Sequence, residues 1–244
     1  MGTLKGALGF MAVALAVIVV ACGGDNNSND VPAADDTSRD ITDEQLSQMV
    51  LAPTAFGPEY AEFTPDAENG PQTIEQASEG EDDPAAERID LEQFGWAATH
   101  KAYFDNAAPR EGAVSAVASI LYVFGTAEGA SGYLRDSRGE MQDEANAPDP
   151  GQTMELAELE VGNEAYTAVF DAQVDREDGS TVEVSGMAAF FRRGRIAGGV
   201  YYIGVALPDL EKQRLEGKVT SLTSTMNDRM ASILAAAPPA AAEQ

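Results

Sequence analysis

Residues 166–206 read YTAVFDAQVDREDGSTVEVSGMAAFFRRGRIAGGVYYIGVA, and this stretch decides the fold. Apolar side chains recur at every second residue in three segments of it, the period of β-strands that turn one face to a core. Asp178-Gly179 is a strong signal for a tight turn between the first two segments, and Arg193-Gly194 turns the chain into the third. The stretch therefore predicts three antiparallel strands with these inward residues: Tyr166, Ala168, Phe170, Ala172 and Val174; Val182, Val184, Ala188 and Phe190; and Val200 and Tyr202.

A long amphipathic helix is predicted directly after these strands. Pro208-Asp209 opens it, and its apolar residues recur at steps of three and four. They are Leu215, Val219, Leu222, Met226, Met230 and Ile233. A stripe of this kind is suited to covering one face of a sheet.

The residues before the hairpins predict two more strands and several helices. One strand begins at Trp96, with Ala98, His100, Ala102 and Phe104 on the same face as Trp96, and the next runs from Ala113 to Phe124. The helix signals are a capping box at 42–45 with a stop at Pro53, an Asp83-Pro84 start with an end at Gly95, and a cap at Thr126. This order predicts an α+β fold, an antiparallel sheet of about six strands with helices packed on it.

The first residues of the chain predict export and lipid attachment. Lys5 precedes an apolar run of about fifteen residues, shorter than the roughly twenty that a membrane-spanning helix needs. The run ends Val19-Val20-Ala21-Cys22, which resembles the bacterial lipobox. The resemblance implies cleavage before Cys22 and a diacylglycerol on its sulfur, so that the chain is anchored to the membrane with its domain on the extracytoplasmic side. The alternative is an uncleaved signal anchor with Cys22 as an incidental thiol.

Composition along the chain predicts one folded domain between two polar or low-complexity ends. A Gly-, Asn- and Asp-rich stretch follows Cys22 and is typical of a flexible tether. The predicted divisions are a signal peptide at 1–21, a lipidated tether at 22–39, a single domain at 40–236 with an acidic irregular segment at about 56–83, and a disordered tail at 237–244.

The charge balance excludes one class of partner. Asp and Glu total 41 against 15 Lys and Arg, a net charge of −26. Nucleic-acid binding rests on neutralising phosphates with Lys and Arg, so no nucleic-acid partner is expected. An anionic membrane surface likewise repels such a chain, so the attached lipid itself is expected to hold the chain at the membrane.

Several stretches resemble a known family. These are FGW at 94–96, YVFGTAEGASGYL from Tyr122, VGNEAYTAVF from Val161 and FFRRGRIAGGV from Phe190. Over about residues 96–234 the chain resembles the PsbP-like extracytoplasmic lipoproteins and extracytoplasmic sensor-type domains of similar layout. Asn163 stands where that family's turn often has Asp. The resemblance implies a sheet sandwiched by helices and a ligand-binding, scaffolding or sensing role without shared catalytic residues.

Residues for catalysis and for metal binding are scarce. His100 and Cys22 are the only His and Cys, so transition-metal clusters are excluded and no cofactor is expected. The acidic runs 79–83 and 175–179 lack the spacing of an EF-hand, although calcium binding there stays open. The chain is expected not to be an enzyme. A cell-envelope hydrolase, the least favoured alternative, would have to use His100.

Two groups of residues are candidates for binding. Arg192, Arg193 and Arg195 cluster at a predicted turn, where they could contact lipid headgroups or an acidic protein partner, or only neutralise Glu177 and Glu183. Trp96, Tyr103 and Tyr122, with Tyr201 and Tyr202, could line an apolar pocket between the sheet and the final helix, or only fill the core. The sequence thus predicts a non-catalytic envelope lipoprotein, a binding or protein-interaction module. The first alternative is a carrier or sensor of a small apolar ligand.

Overall fold

The computed structural model describes residues 40–79, 83–106, 108–175 and 180–236. The helices are α1 (Asp43–Met49), α2 (Pro53–Phe56), α3 (Ile74–Ser78), α4 (Pro84–Gln93), α5 (Ala127–Asn146) and α6 (Asp209–Ala236). The strands are β1 (Thr64–Pro65), β2 (Gly70–Gln72), β3 (Trp96–Asp105), β4 (Ala113–Phe124), β5 (Thr153–Glu158), β6 (Glu164–Asp175), β7 (Thr181–Arg193) and β8 (Ile196–Val205). The predicted signal peptide, Cys22, the tether, the tail and the Asp178-Gly179 turn lie outside the described residues.

All strand pairs are antiparallel, and they form one sheet in the order β1-β3-β4-β8-β7-β6-β5, with β2 also paired to β3. The predicted hairpins of the last third are present, because β7 pairs with β6 on one side and with β8 on the other. The α+β class is therefore confirmed. The strands beyond the predicted set are the short β1 and β2, inside the acidic segment at 56–83, and the edge strand β5.

Helices cover both faces of the sheet. The face covered by α1, α2 and α6 is called the α6 face here, and it holds the largest core. Four residues of the predicted α6 stripe, Leu215, Val219, Met226 and Met230, are at most 1% exposed and pack in the same core as Val200 and Tyr202. The opposite face, called the α5 face, is covered in part by α4 and α5.

A bulge at the start of β3 corrects one predicted face. The pairing with β4 shifts between Trp96 and Ala98, so Trp96 lies on the α5 face together with Thr99. The Trp96 indole donates a hydrogen bond to Thr99 Oγ1 at 2.7 Å. Strict alternation fails here because a bulge adds one residue to one strand only. Ala98 and Ala102 keep their predicted place on the other face.

The predicted helix starts are confirmed, with one correction. Thr42 and Gln45 make both bonds of the capping box, Asp83 accepts from two amides of α4, and Thr126 accepts from Gly129 N at 3.0 Å. Pro53, predicted only as a stop, occupies the first turn of α2, where its missing N–H has no cost.

Close backbone contact holds the N-terminal part of α5 beside the end of α4. A Cβ atom at Gly129 would overlap the Phe94 carbonyl oxygen, and one at Gly132 would lie 2.8 Å from the Phe94 ring. Glycine at both positions therefore permits this close packing. Beyond this contact α5 runs over the sheet toward β5.

Among the described residues, no helix is long and apolar enough to cross a bilayer.

Candidate functional site

A cavity lies between the α5 face of the sheet and helix α5. Its volume is about 120 Å³, and its exposed lining is mostly apolar. Strands β6, β7 and β8 supply the floor, α5 supplies the roof, and α4 with the segment 148–154 completes the walls.

Small residues leave the space in the floor. Ala168, Ala172, Ala188, Ala197 and Gly199 lie where larger residues would fill the gap beneath α5. Register brings Ala168, Ala188 and Tyr201 side by side across three neighbouring strands. The alanines and the glycine leave room beneath α5, and the cavity occupies that room.

Aromatic rings border this floor. Phe190 stands edge-on to Tyr201 with ring centroids 5.4 Å apart, and it stacks on Tyr166 at 4.9 Å. The Tyr201 ring folds back over Gly199, and the Phe170 ring covers Gly186, since a Cβ atom at either glycine would overlap the ring. The rings are thus fixed against the sheet and present a rigid apolar wall.

Helix α5 closes the cavity with a mixed face. Leu134 and Met141 contribute apolar surface, and the Tyr133 ring lies 5.2 Å from that of Tyr122. Farther along the helix, the Tyr166 hydroxyl donates to Ser137 Oγ at 3.3 Å. The roof is therefore tied to the floor on both sides of the cavity.

Carboxylates surround the cavity. The lining includes six acids and no Lys, Arg or His among the described residues; the acids are Glu87, Asp90, Asp136, Glu140, Glu144 and Asp171. The Asp171 carboxylate points away from the cavity to the α6 face, where Lys212 Nζ lies 2.6 Å from its Oδ1. The nearby arginines of α5 point to other acids: Arg138 pairs with Glu158 at 2.6 Å and Arg135 with Glu164 at 3.4 Å.

Glu87 is the most unusual of these acids. It is only 4% exposed, and the Tyr133 hydroxyl donates to its Oε1 over a long 3.5 Å. Burial, and then repulsion from Asp90, raise the pKa of Glu87 to about 7, with Asp136 adding to the effect. Burial also raises the pKa of Asp90 and of Asp136. The carboxyls at this wall of the cavity therefore bind protons more readily than ordinary surface acids do.

The structure separates the aromatic residues that the sequence grouped as a possible pocket. Tyr122 and Tyr201 line the cavity, whereas Trp96 and Tyr103 lie on the same face outside it. Tyr202 is buried on the α6 face, where its hydroxyl donates to the Phe56 carbonyl oxygen at 2.8 Å. The sequence had suggested an aromatic pocket beneath the final helix. The aromatic cavity instead lies under α5, on the opposite face of the sheet.

A second hollow does lie beside the final helix. It has a volume of about 350 Å³, and β5, β6, β7 and α6 line it. Its lining has no aromatic residue and includes Glu155 and Glu216. Because it lacks an aromatic wall, it matches the predicted pocket less well than the cavity under α5.

The three arginines at the β7–β8 turn each bond within the domain. Arg192 lies 3.0 Å from Glu164 and also donates to the Gly194 carbonyl. Arg193 donates to Asn227 Oδ1 at 2.8 Å, and Arg195 donates to the Phe124 carbonyl oxygen at 3.0 Å. Glu183 pairs with Lys212, and Glu177 lies outside the described residues. The turn is thus tied to β4, β6 and α6.

His100 and the metal-binding residues lie apart from the cavity. His100 is 6% exposed on the α6 face, where burial lowers its pKa. No three of the described His, Cys, Asp and Glu residues are grouped so as to hold a metal ion. The acidic runs 79–83 and 175–179 fall largely outside the described residues.

Sequence reasoning missed most of the cavity. Phe170, Phe190 and Ala188 had been assigned to inward strand faces, but not to a site. The available signal was the run of Ala and Gly on those faces, which predicts space between the sheet and whatever covers it. Nothing in the sequence marked Glu87 as a site residue, because its burial depends on the packing of α4 against α5.

Comparisons with known proteins reveal only distant similarity. No protein-family model matches the chain, and no curated protein matches it significantly. The extracellular domain of PknH from Mycobacterium tuberculosis is 11% identical, with a TM-score of 0.47, over 77% of this chain and 99% of that one. The di-domain ARO/CYC BexL from the BE-7585A biosynthetic pathway is 10% identical, with a TM-score of 0.14, over 64% of this chain and 78% of that one. No residue or ligand transfers across such distances.

Proposed function

We propose that this chain is a lipid-anchored, extracytoplasmic binding module that holds a small, mainly apolar ligand in the cavity under α5. The observation that carries the proposal is the cavity itself, a mainly apolar space with aromatic walls. Protein interiors are close-packed, and a gap of this size is costly to keep. A ligand that fills it recovers the missing contacts.

Size and lining limit the ligand. An apolar cavity of roughly 150 Å³ admits a benzene molecule, so about 120 Å³ suits one small ring or a short branched chain. Ligand sites are typically apolar with a few placed polar groups, and Ser137 with the surrounding carboxylates supplies these. The proposed role is binding without catalysis, since His100 faces the opposite side of the sheet.

The proposed lipid anchor would hold the binding module at a membrane. The lipobox-like sequence before Cys22 supports attachment at the outer side of a membrane. The domain would then meet ligands in the envelope and not in the cytoplasm. This part of the proposal rests on the sequence alone.

The test is native mass spectrometry of the full chain, purified from its own membrane in mild detergent. An excess mass that leaves on denaturation is expected for the native chain. Ala168→Leu fills the floor of the cavity and should remove the excess mass, as should the milder Ala172→Val if the first variant folds poorly. Ala61→Leu, at an exposed position away from the cavity, is the matched control and should keep it.

Two results would overturn the proposal. One is an excess mass that survives both cavity-filling variants. The other is a native chain without excess mass that also fails to broaden the fluorine NMR signal of added 4-fluorotoluene beyond the effect of detergent alone.

A further inference from the structure

We infer that the cavity under α5 selects ligands that carry a positively charged amine on an apolar or aromatic body. The inference rests on the proposed function and names the ligand class. It follows from the acidic wall of the cavity, from the buried carboxylate of Glu87 in particular, and from the aromatic rings beside Glu87.

The charges around the cavity have one sign. Helix α4 supplies Glu87 and Asp90, and helix α5 supplies Asp136, Glu140 and Glu144. No cationic side chain lines the cavity among the described residues, and the arginines of α5 pair with Glu158 and Glu164 outside it. A ligand entering this field gains if it is positive and loses if it is negative.

Glu87 gives this field a specific point of attachment. Its side chain lines the cavity and is buried, yet its described neighbours include two acids and one tyrosine hydroxyl and no cation. A buried carboxylate without a charge partner is unfavourable, and either a proton or a cation relieves it. An ammonium group of a ligand held in the cavity is a cation that can meet this carboxylate, because Glu87 lines the cavity.

The aromatic lining favours the same ligand. The Tyr122 and Tyr133 rings lie at the Glu87 side of the cavity, and cations are attracted to the faces of such rings. The apolar floor at Ala168, Ala188 and Phe190 then accepts the rest of the ligand. A bare metal ion would leave this floor empty, and the described residues hold no metal-binding group of three.

The experiment compares three ligands of equal size and different charge. Full-length chain in lipid nanodiscs is titrated with 4-fluorobenzylamine, 4-fluorobenzyl alcohol and 4-fluorobenzoate, and fluorine NMR follows each ligand. Empty nanodiscs correct for partition into lipid. The amine is expected to bind about tenfold or more tightly than the alcohol, and the benzoate is expected not to bind.

Matched variants locate the effect. Glu87→Gln combined with Asp90→Asn should lower the affinity for the amine about tenfold, to near that for the alcohol. Glu92→Gln, on the exposed side of the same helix, should change neither affinity.

The outcomes separate this inference from the proposed function. Equal binding of the amine and the alcohol overturns the charge preference while leaving the cavity as a binding site. A preference for the amine that survives the double variant also overturns the assignment to these carboxylates. Failure of all three ligands to bind in nanodiscs, together with no excess mass on the native chain, overturns both.

Discussion

At the scale of single residues, Glu87 sets a pH dependence of stability. Its pKa is about 7 in the folded chain and close to the ordinary carboxyl value of 4.5 when unfolded, so the folded state keeps the proton to higher pH. The stabilisation that this proton gives is complete below pH 4.5 and is lost as the pH rises through 7. Since Gln cannot ionise, Glu87→Gln is expected to stabilise the fold at pH 8 by up to about 3 kcal/mol and to change little at pH 4.

Urea unfolding of the variant and the native chain at both pH values measures this difference. Glu92→Gln is the control, because the Glu92 side chain is 58% exposed and pairs only weakly with Arg88 in the next turn. An equal gain for Glu87→Gln at pH 4 and pH 8 would show that ionisation is not the cause.

The same carboxyl predicts how binding depends on pH. The groups that face Glu87 are Asp90 from its own helix and Asp136 and Tyr133 from α5. As the pH falls from 8 to 6, Glu87 takes up a proton and its attraction for an ammonium group disappears. The affinity for 4-fluorobenzylamine is expected to fall several-fold over this range by fluorine NMR, while that for 4-fluorobenzyl alcohol stays constant. A parallel fall for both ligands would indicate a general change in the fold instead.

At the scale of elements, helix α5 depends on its close contact with Phe94. Gly129→Ala would favour an isolated helix by up to about 1 kcal/mol, but its Cβ would overlap the Phe94 carbonyl oxygen. The net expectation is destabilisation by about 1–3 kcal/mol, measured by urea unfolding. Gly139→Ala is the matched control on the same helix, because nothing lies within 4 Å of its Cβ position. That variant should be neutral or more stable, and a loss as large as that of Gly129→Ala would contradict the contact.

Elements with strong periodicity were predictable, and those defined by their neighbours were not. Strands β6, β7 and β8 are ten residues or longer and carry an apolar residue or glycine at every second position along most of their length, and α6 carries its apolar stripe over most of its length. By contrast, β1 and β2 have two and three residues, and β5 is a six-residue edge strand in which only Met154 and Leu156 are partly buried, too few for a clear pattern. The cavity was hidden for the same reason, because its roof and its floor are far apart in the chain and each is an ordinary helix or strand face.

At the scale of the whole molecule, Cys22 is expected to decide where the domain resides. Cys22→Ala removes the sulfur that would carry the lipid, so incorporation of a clickable fatty acid into the chain should be lost. Asn26→Ala, a few residues farther on, should be labelled like the native chain. Labelling that persists in Cys22→Ala would contradict the lipoprotein prediction and favour the uncleaved signal anchor.

The acidic edge of the sheet at β5 bears on how closely packed copies of the chain can associate. Strand β5 ends the sheet, and an open edge of this kind is a template on which another strand can add. Glu155 lies on β5 and Glu160 follows it, whereas Glu158 pairs with Arg138, so two copies that met edge to edge would bring the charges of Glu155 and Glu160 together. Anchored proteins diffuse in two dimensions and collide often. The glutamates of β5 would keep neighbouring copies from joining their sheets into fibres on a densely populated membrane.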